Sequence, residues 1–301
     1  MPEPAPALSI AGLELTYRGG ARALRGINLD IGDGERLALV GESGCGKTSI
    51  VRACLGLLAP GAQIHGSVQV AGTEVVGAPG AVLRRLRGLT VGYVPQSPAG
   101  ALDPLRSVGH HVREAWRAHR QRPPAGAVPA LLARLDLPDR AGQYPHQWSG
   151  GMLQRATIAA ATAHRPVLTI ADEPTSALDA ELAGGVLEAL VEASSALLLV
   201  THDLALATRA GQRVAVCYAG RIVEEGPADR VLGEPRHPYT QALRAAVPVP
   251  GGGLPSPLPG VPPPAWAPDA GCAFAPRCPR AVSSCRVEVP TLEDGVACPR
   301  I

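Results

Sequence analysis

The chain has 301 residues, enough for one large domain or one domain with an appendix, either of which can bury a stable core. Its 28 Lys and Arg stand against 26 Asp and Glu, a formal charge of +2, so composition offers no broad basic face and argues against nucleic acid as a partner. The N-terminal residues lack a basic region followed by an apolar run, and no stretch approaches the roughly 20 apolar residues needed to cross a bilayer. The chain is therefore expected in the cytosol, reaching any membrane through a partner.

Residues 1 to about 35 alternate apolar and polar positions between turn signals at Gly19-Gly20 and Gly32-Asp33-Gly34, which predicts short antiparallel strands. Arg36 to Val40 then reads as a buried strand, a glycine-rich loop follows, and Ser49 to Leu58 has helical composition until Pro60. Residues from about 97 to 155 predict a helical subdomain, with helices near 108–120 and 127–135. Beyond Thr157 the order is helix, strand at Val167 to Ala171, helix at Ala180 to Ala193 and strand at Ala196 to Val200. That alternation predicts an α/β fold with a mainly parallel sheet. From 248 to 264, twelve of seventeen residues are Pro or Gly, a composition that ends both helix and central strand, so a linker is placed there. The domain before it spans 1–247. The segment after it, 265–301, is too short for its own core and is expected to need a staple.

The loop Gly41-Glu42-Ser43-Gly44-Cys45-Gly46-Lys47-Thr48 fits the Gly-x-x-x-x-Gly-Lys-Ser/Thr pattern and lies between predicted strand and helix, the context a phosphate-binding loop requires. Its glycines let backbone N–H groups turn inward, the helix N-terminus adds partial positive charge, Lys47 reaches the outer phosphates and Thr48 can hold magnesium. Asp172 and Glu173 follow an apolar strand, at the sheet edge where ligands bind. Asp172 is expected to hold magnesium and Glu173 to take a proton from an attacking water. Alone, such a pair also fits a solvated turn or a helix cap. The upstream loop favours the catalytic reading.

Trp148-Ser149-Gly150-Gly151-Met152-Leu153-Gln154-Arg155 resembles the signature motif of ATP-binding-cassette (ABC) ATPases, and other elements of that family follow in register. Gln96 in Val94-Pro95-Gln96-Ser97-Pro98 resembles the Q-loop, Ser176-Ala177-Leu178-Asp179 the D-loop, and His202 the switch histidine. The resemblance covers roughly residues 8 to 245. It implies the cassette fold with an antiparallel N-terminal subdomain, ATP and Mg2+ as cofactors, and Tyr17 stacked on adenine. Gly41 to Ser49 would grip the phosphates, Thr48, Gln96 and Asp172 the magnesium, and Glu173, His202, Lys47 and Gln96 would carry hydrolysis. Ser149, Gly150 and Gly151 would grip the γ-phosphate of a second cassette, so the working unit is a dimer enclosing two ATP molecules.

Gly220 to Gly226 and Pro235-Arg236-His237-Pro238-Tyr239-Thr240 are similar to the end of the cassette in oligopeptide and dipeptide importers, a group that includes nickel importers. Ala101-Leu102-Asp103-Pro104 fits the group too, with Asp103 where Asn is usual. The resemblance implies an importer's ATPase on the cytoplasmic face of the membrane, with two transmembrane permease subunits and an extracytoplasmic substrate-binding protein. A soluble cassette ATPase stays open as the alternative, as does a nickel importer.

Cys272, Cys278, Cys285 and Cys298, spaced by five, six and twelve residues, match the group's cysteine tail. The resemblance implies a four-iron, four-sulfur cluster, and zinc is the alternative. Cys45, Cys54 and Cys217 are scattered. Cys54 and Cys217 are expected as core thiols, and His237 as structural.

Overall fold

The computed structural model describes residues 5–248 and 254–300, so 249–253 of the expected linker lie outside it. Strands β1 (Leu8–Thr16), β2 (Arg22–Ile31), β4 (Gln63–Val70) and β5 (Thr73–Glu74) form one antiparallel sheet in the order β2-β1-β4-β5. Leu8, Ile10, Leu13 and Leu15 are all buried, and the odd step from Ile10 to Leu13 is absorbed by a register shift at Gly12, whose φ is 56°. An extra residue on one strand restores the inward face after breaking the alternation.

Strands β3 (Arg36–Val40), β6 (Val91–Val94), β7 (Leu168–Asp172), β8 (Ala196–Thr201), β9 (Arg213–Tyr218) and β10 (Arg221–Pro227) form the second sheet, in the order β10-β9-β3-β8-β7-β6. Every pairing in it is parallel except the β9–β10 hairpin. The central strands are apolar at successive positions because both faces are covered. Leu37 and Leu39 pack into the core shared with the antiparallel sheet, while Ala38 and Val40 pack into one that includes Tyr218, Tyr239 and Phe274. The helices Val108–Arg117, Ala127–Arg134 and Gly150–Ala161 bring Val112, Trp116, Leu132 and Ile158 together in a third core against β7 and β8.

The helix after the glycine-rich loop runs Lys47–Cys54, shorter than its composition predicts. Gly56 turns left-handed (φ 60°), and the Arg87 guanidinium donates to the carbonyls of Leu55 and Gly56, which satisfies the helix end before Pro60 is reached. The β9–β10 hairpin turns on Ala219 and Gly220, both at positive φ. Ala is not a residue that announces such a turn.

The C-terminal segment has little regular structure beyond the short 3-10 turns Ala275–Arg277 and Ser283–Arg286. Among its described residues it has no separate core. Phe274 is 1% exposed and packs edge-on against Tyr218 and Tyr239, with ring centroids 5.4 and 5.5 Å apart. Ala297 N–H donates to the Val223 carbonyl and Glu225 N–H to that of Gly295, so the end of the chain adds to the edge at β10. Among the described residues no helix is long and apolar enough to cross a membrane.

Candidate active site

The loop Gly41 to Gly46 joins β3 to the helix Lys47–Cys54 and folds against β9. A Cβ on Gly41 (φ 153°) would stand 2.2 Å from the Cys217 carbonyl oxygen, so only glycine lets the loop pass there. Lys47 is buried, and its Nζ donates to the carbonyls of Gly41 (2.6 Å) and Glu42 (3.1 Å). Glu42 N–H donates to the Tyr239 hydroxyl at 2.9 Å. An open cavity of about 450 Å³ lies over the loop, lined by Tyr17, Ser43, Gly44, Gly46, Lys47, Thr48, Ser49, Gln96 and Glu173. The Tyr17 and Ser49 hydroxyls are 3.1 Å apart.

The loop thiol Cys45 is buried against Cys217. Its pKa lies below the usual thiol value, chiefly through the Cys217 hydrogen bond and then through the charge of Lys47, against the opposing effect of burial. Cys217 and Cys54 are core thiols as expected, and burial pushes Cys54 up to about 12.

Gln96, Glu173 and His202 each follow the C-terminal end of a strand, β6, β7 and β8 respectively, and the parallel order places those ends side by side. Gln96 Nε2 donates to Glu173 Oε2 at 3.3 Å, and His202 Nδ1 lies 3.2 Å from the same oxygen. Glu173 has a left-handed backbone (φ 47°), anchored by its N–H to the Val200 carbonyl at 2.8 Å. Such strain, on the order of 1–3 kcal/mol, persists where the surroundings over-determine a functional group. Asp172, the last residue of β7, is buried. Burial raises the Asp172 pKa above the usual value, the neighbouring Glu173 charge adds to the rise, and the Thr48 hydroxyl and the Lys47 charge oppose it.

Ser149, Gly150 and Gly151 do not join this cluster, and none of them lines the cavity. Ser149 instead caps the helix Gly150–Ala161, its Oγ accepting from Met152 N–H, and Ser149 and Gly150 are exposed. Asp179 caps the helix Ala180–Ala193 in the same way. Sequence reasoning missed the contribution of the C-terminal segment. Pro263 and Pro264 at the end of the linker and Ala265 at the start of the segment line the cavity, and Arg277 pairs with Glu42. No local pattern marks either contact, which joins positions more than 200 apart in the chain.

Cys272, Cys278, Cys285 and Cys298 line one small cavity of about 20 Å³ together with His237. Burial raises the Cys272 and Cys278 thiols, and their neighbours Cys285 and Cys298 raise them further. The donors are gathered but not closed. Among the described residues no three His, Cys, Asp or Glu side chains converge as a metal ion requires. His237 is buried and accepts from Tyr239 N–H through Nδ1, capping the helix Pro238–Ala245, and burial lowers its pKa to about 4.

Residues 24–176 match the family described as ABC transporter, and 223–285 match the oligopeptide/dipeptide transporter C-terminal region. A Brucella ovis protein named for peptide import and ATP binding is 40% identical, across 95% of this chain and 93% of its own. The dipeptide transport ATP-binding protein DppD of Bacillus subtilis is 37% identical, across 92% and 88%. Among solved structures, a dimeric post-hydrolysis state of the ATP-binding cassette MJ0796 with ADP and phosphate matches with TM-score 0.65 and 27% identity, covering 73% of this chain and 98% of that one. CbiO1 of Clostridium perfringens, part of an ABC transporter complex, matches with TM-score 0.67 and 26% identity, covering 76% and 91%.

Proposed function

The chain belongs to the ABC transporter family, and on that premise we propose how its residues couple ATP hydrolysis to peptide import. It is the ATP-hydrolysing subunit of a peptide ABC importer, the activity for which its relatives are named. It works as a dimer of cassettes on permease partners, at the cytoplasmic face of the membrane. An extracytoplasmic protein delivers the peptide.

The observation that carries the mechanism is the convergence of Gln96 and His202 on one oxygen of Glu173, at the rim of the cavity that Lys47 and Thr48 line. Glu173 orients the attacking water and takes its proton. His202 and Lys47 meet the γ-phosphate, and Gln96 links nucleotide occupancy to the helical subdomain. Tyr17 sits on the same cavity to receive adenine. Thr48 on the cavity and the buried carboxylate of Asp172 supply oxygen donors that suit magnesium, with Gln96 as a further contact. Magnesium bound there neutralises charge on the transferring phosphoryl group. Ser149 and Gly150, exposed, and Gly151, buried behind them at the start of the same helix, do not line the cavity of their own chain and complete the site of a partner cassette.

The four-iron, four-sulfur cluster is our finer reading of the tail, held by Cys272, Cys278, Cys285 and Cys298. Its support is the donor set, four thiols on one cavity in a segment without a core of its own, and its chemistry would be that of a structural cross-link. Zinc is the alternative.

Glu173→Gln tests the mechanism. It should bind ATP as the wild type does and lose about 100- to 10,000-fold in turnover, the usual effect of removing a general base. Phosphate release at near wild-type rate would refute the role given to Glu173.

A further inference from the structure

The C-terminal segment enters the nucleotide site at two points. Near the cavity, Arg25 donates to the carbonyls of Ala265 (3.0 Å) and Ala267 (2.8 Å) and to the Asp269 carboxylate (2.5 Å), which holds Pro263 to Ala265 as part of the wall. Behind the phosphate loop, the Arg277 side chain is 4% exposed and forks onto Glu42, with Nη1 to Oε2 at 2.8 Å and Nη2 to Oε1 at 3.1 Å. The same guanidinium bonds the Tyr218 hydroxyl (3.2 Å) and the Pro259 carbonyl (2.5 Å), and lies 5.7 and 5.8 Å from the Tyr218 and Phe274 ring centroids.

Glu42 is thereby fixed at three groups. Its N–H donates to Tyr239, its carbonyl accepts from Lys47 and its carboxylate from Arg277. A carboxylate in a loop that must attract polyphosphate opposes that task unless it is neutralised and turned away. Glu42 does not line the cavity, and Arg277 is what holds its carboxylate outside. A bidentate, buried guanidinium does both through charge and geometry.

We propose that Arg277 is a positioning residue of the nucleotide site: it neutralises and orients Glu42, so that the C-terminal segment completes the phosphate loop from within the same chain. This rests on the reading of Gly41 to Thr48 as the phosphate loop. Because coupling is reciprocal, nucleotide binding must also tighten the segment that carries Arg277 and the adjacent Cys278.

Titration of the full chain with a fluorescent ATP analogue tests this in wild type, Arg277→Gln, Glu42→Gln, the double variant and Lys47→Ala. Arg277→Gln should weaken binding by about tenfold, the size of one charge-assisted hydrogen bond. Glu42→Gln should weaken it less, and the double variant should recover to the level of Glu42→Gln, because the stranded carboxylate is gone. Unchanged binding by Arg277→Gln overturns the proposal, as does a double variant no tighter than Arg277→Gln, which would make Arg277 a brace of the segment only. Undiminished binding by Lys47→Ala would overturn the phosphate-loop reading and the proposal with it. If Arg277→Gln does not fold, hydrogen exchange of the wild type decides. Amides of residues 271–278 should exchange more slowly with ATP present, and unchanged exchange overturns the coupling.

Discussion

Glu173 and His237 show how single side chains are committed by their surroundings. The left-handed backbone of Glu173 aims its carboxylate at Gln96 and His202, and nothing in the run Val167 to Glu173 announces that conformation. What the sequence does announce is residue type, because phosphate, magnesium and water each demand particular groups at fixed offsets. The pairing of Arg277 with Glu42 lacked such a signal, since an Arg beside a Cys-Pro pair is compatible with any surface turn. His237 carries a pH prediction. Its pKa falls from an ordinary 6.5 to about 4 by burial, so the folded state prefers it neutral. The stabilisation is fully present above pH 6.5 and is lost as pH falls toward 4, amounting to about 3 kcal/mol between those limits. His237→Asn keeps the helix cap and removes the titration. Denaturation midpoints at pH 7 and 4.5 should converge in that variant relative to wild type; an identical pH slope in both would contradict the assignment.

At the scale of elements, the strand, loop and helix from Arg36 to Cys54 could be read from sequence because a buried parallel strand, a glycine turn and an apolar helix differ in period. The helix end could not, since it depends on Arg87, more than 30 residues further along the chain, taking the carbonyls of Leu55 and Gly56. The β9–β10 hairpin was equally hidden, its turn being Ala219-Gly220. The cysteine segment illustrates a different limit. Composition marks it as lacking a core, but not that it borrows one through Phe274, seated against Tyr218 and Tyr239. Phe274→Ala should therefore cost about 3–5 kcal/mol, as for other buried aromatic truncations, although the residue lies beyond the linker. Thermal unfolding that is unchanged in this variant would show that the segment does not share the cassette's core.

At the scale of the whole molecule, the proposed function divides the nucleotide site between two chains. Lys47, Thr48, Gln96, Asp172, Glu173 and His202 lie at or just beyond the C-terminal ends of neighbouring strands, while Ser149 and Gly150 are exposed and off the cavity, the separation on which the proposed two-chain site rests. The separation follows from the fold, because the helix Gly150–Ala161 belongs to the helical layer and the loop to the strand edge. In the proposed function, import depends on hydrolysis at Glu173 being transmitted to the permease. The direct measurement is uptake of a labelled peptide by proteoliposomes carrying the assembled transporter, the binding protein and ATP on the cassette side, with phosphate release followed in parallel. With the wild-type chain both should proceed, and with Glu173→Gln both should fall together by about 100-fold or more; peptide uptake that continues while phosphate release has stopped would contradict ATP hydrolysis by this chain as the driving step.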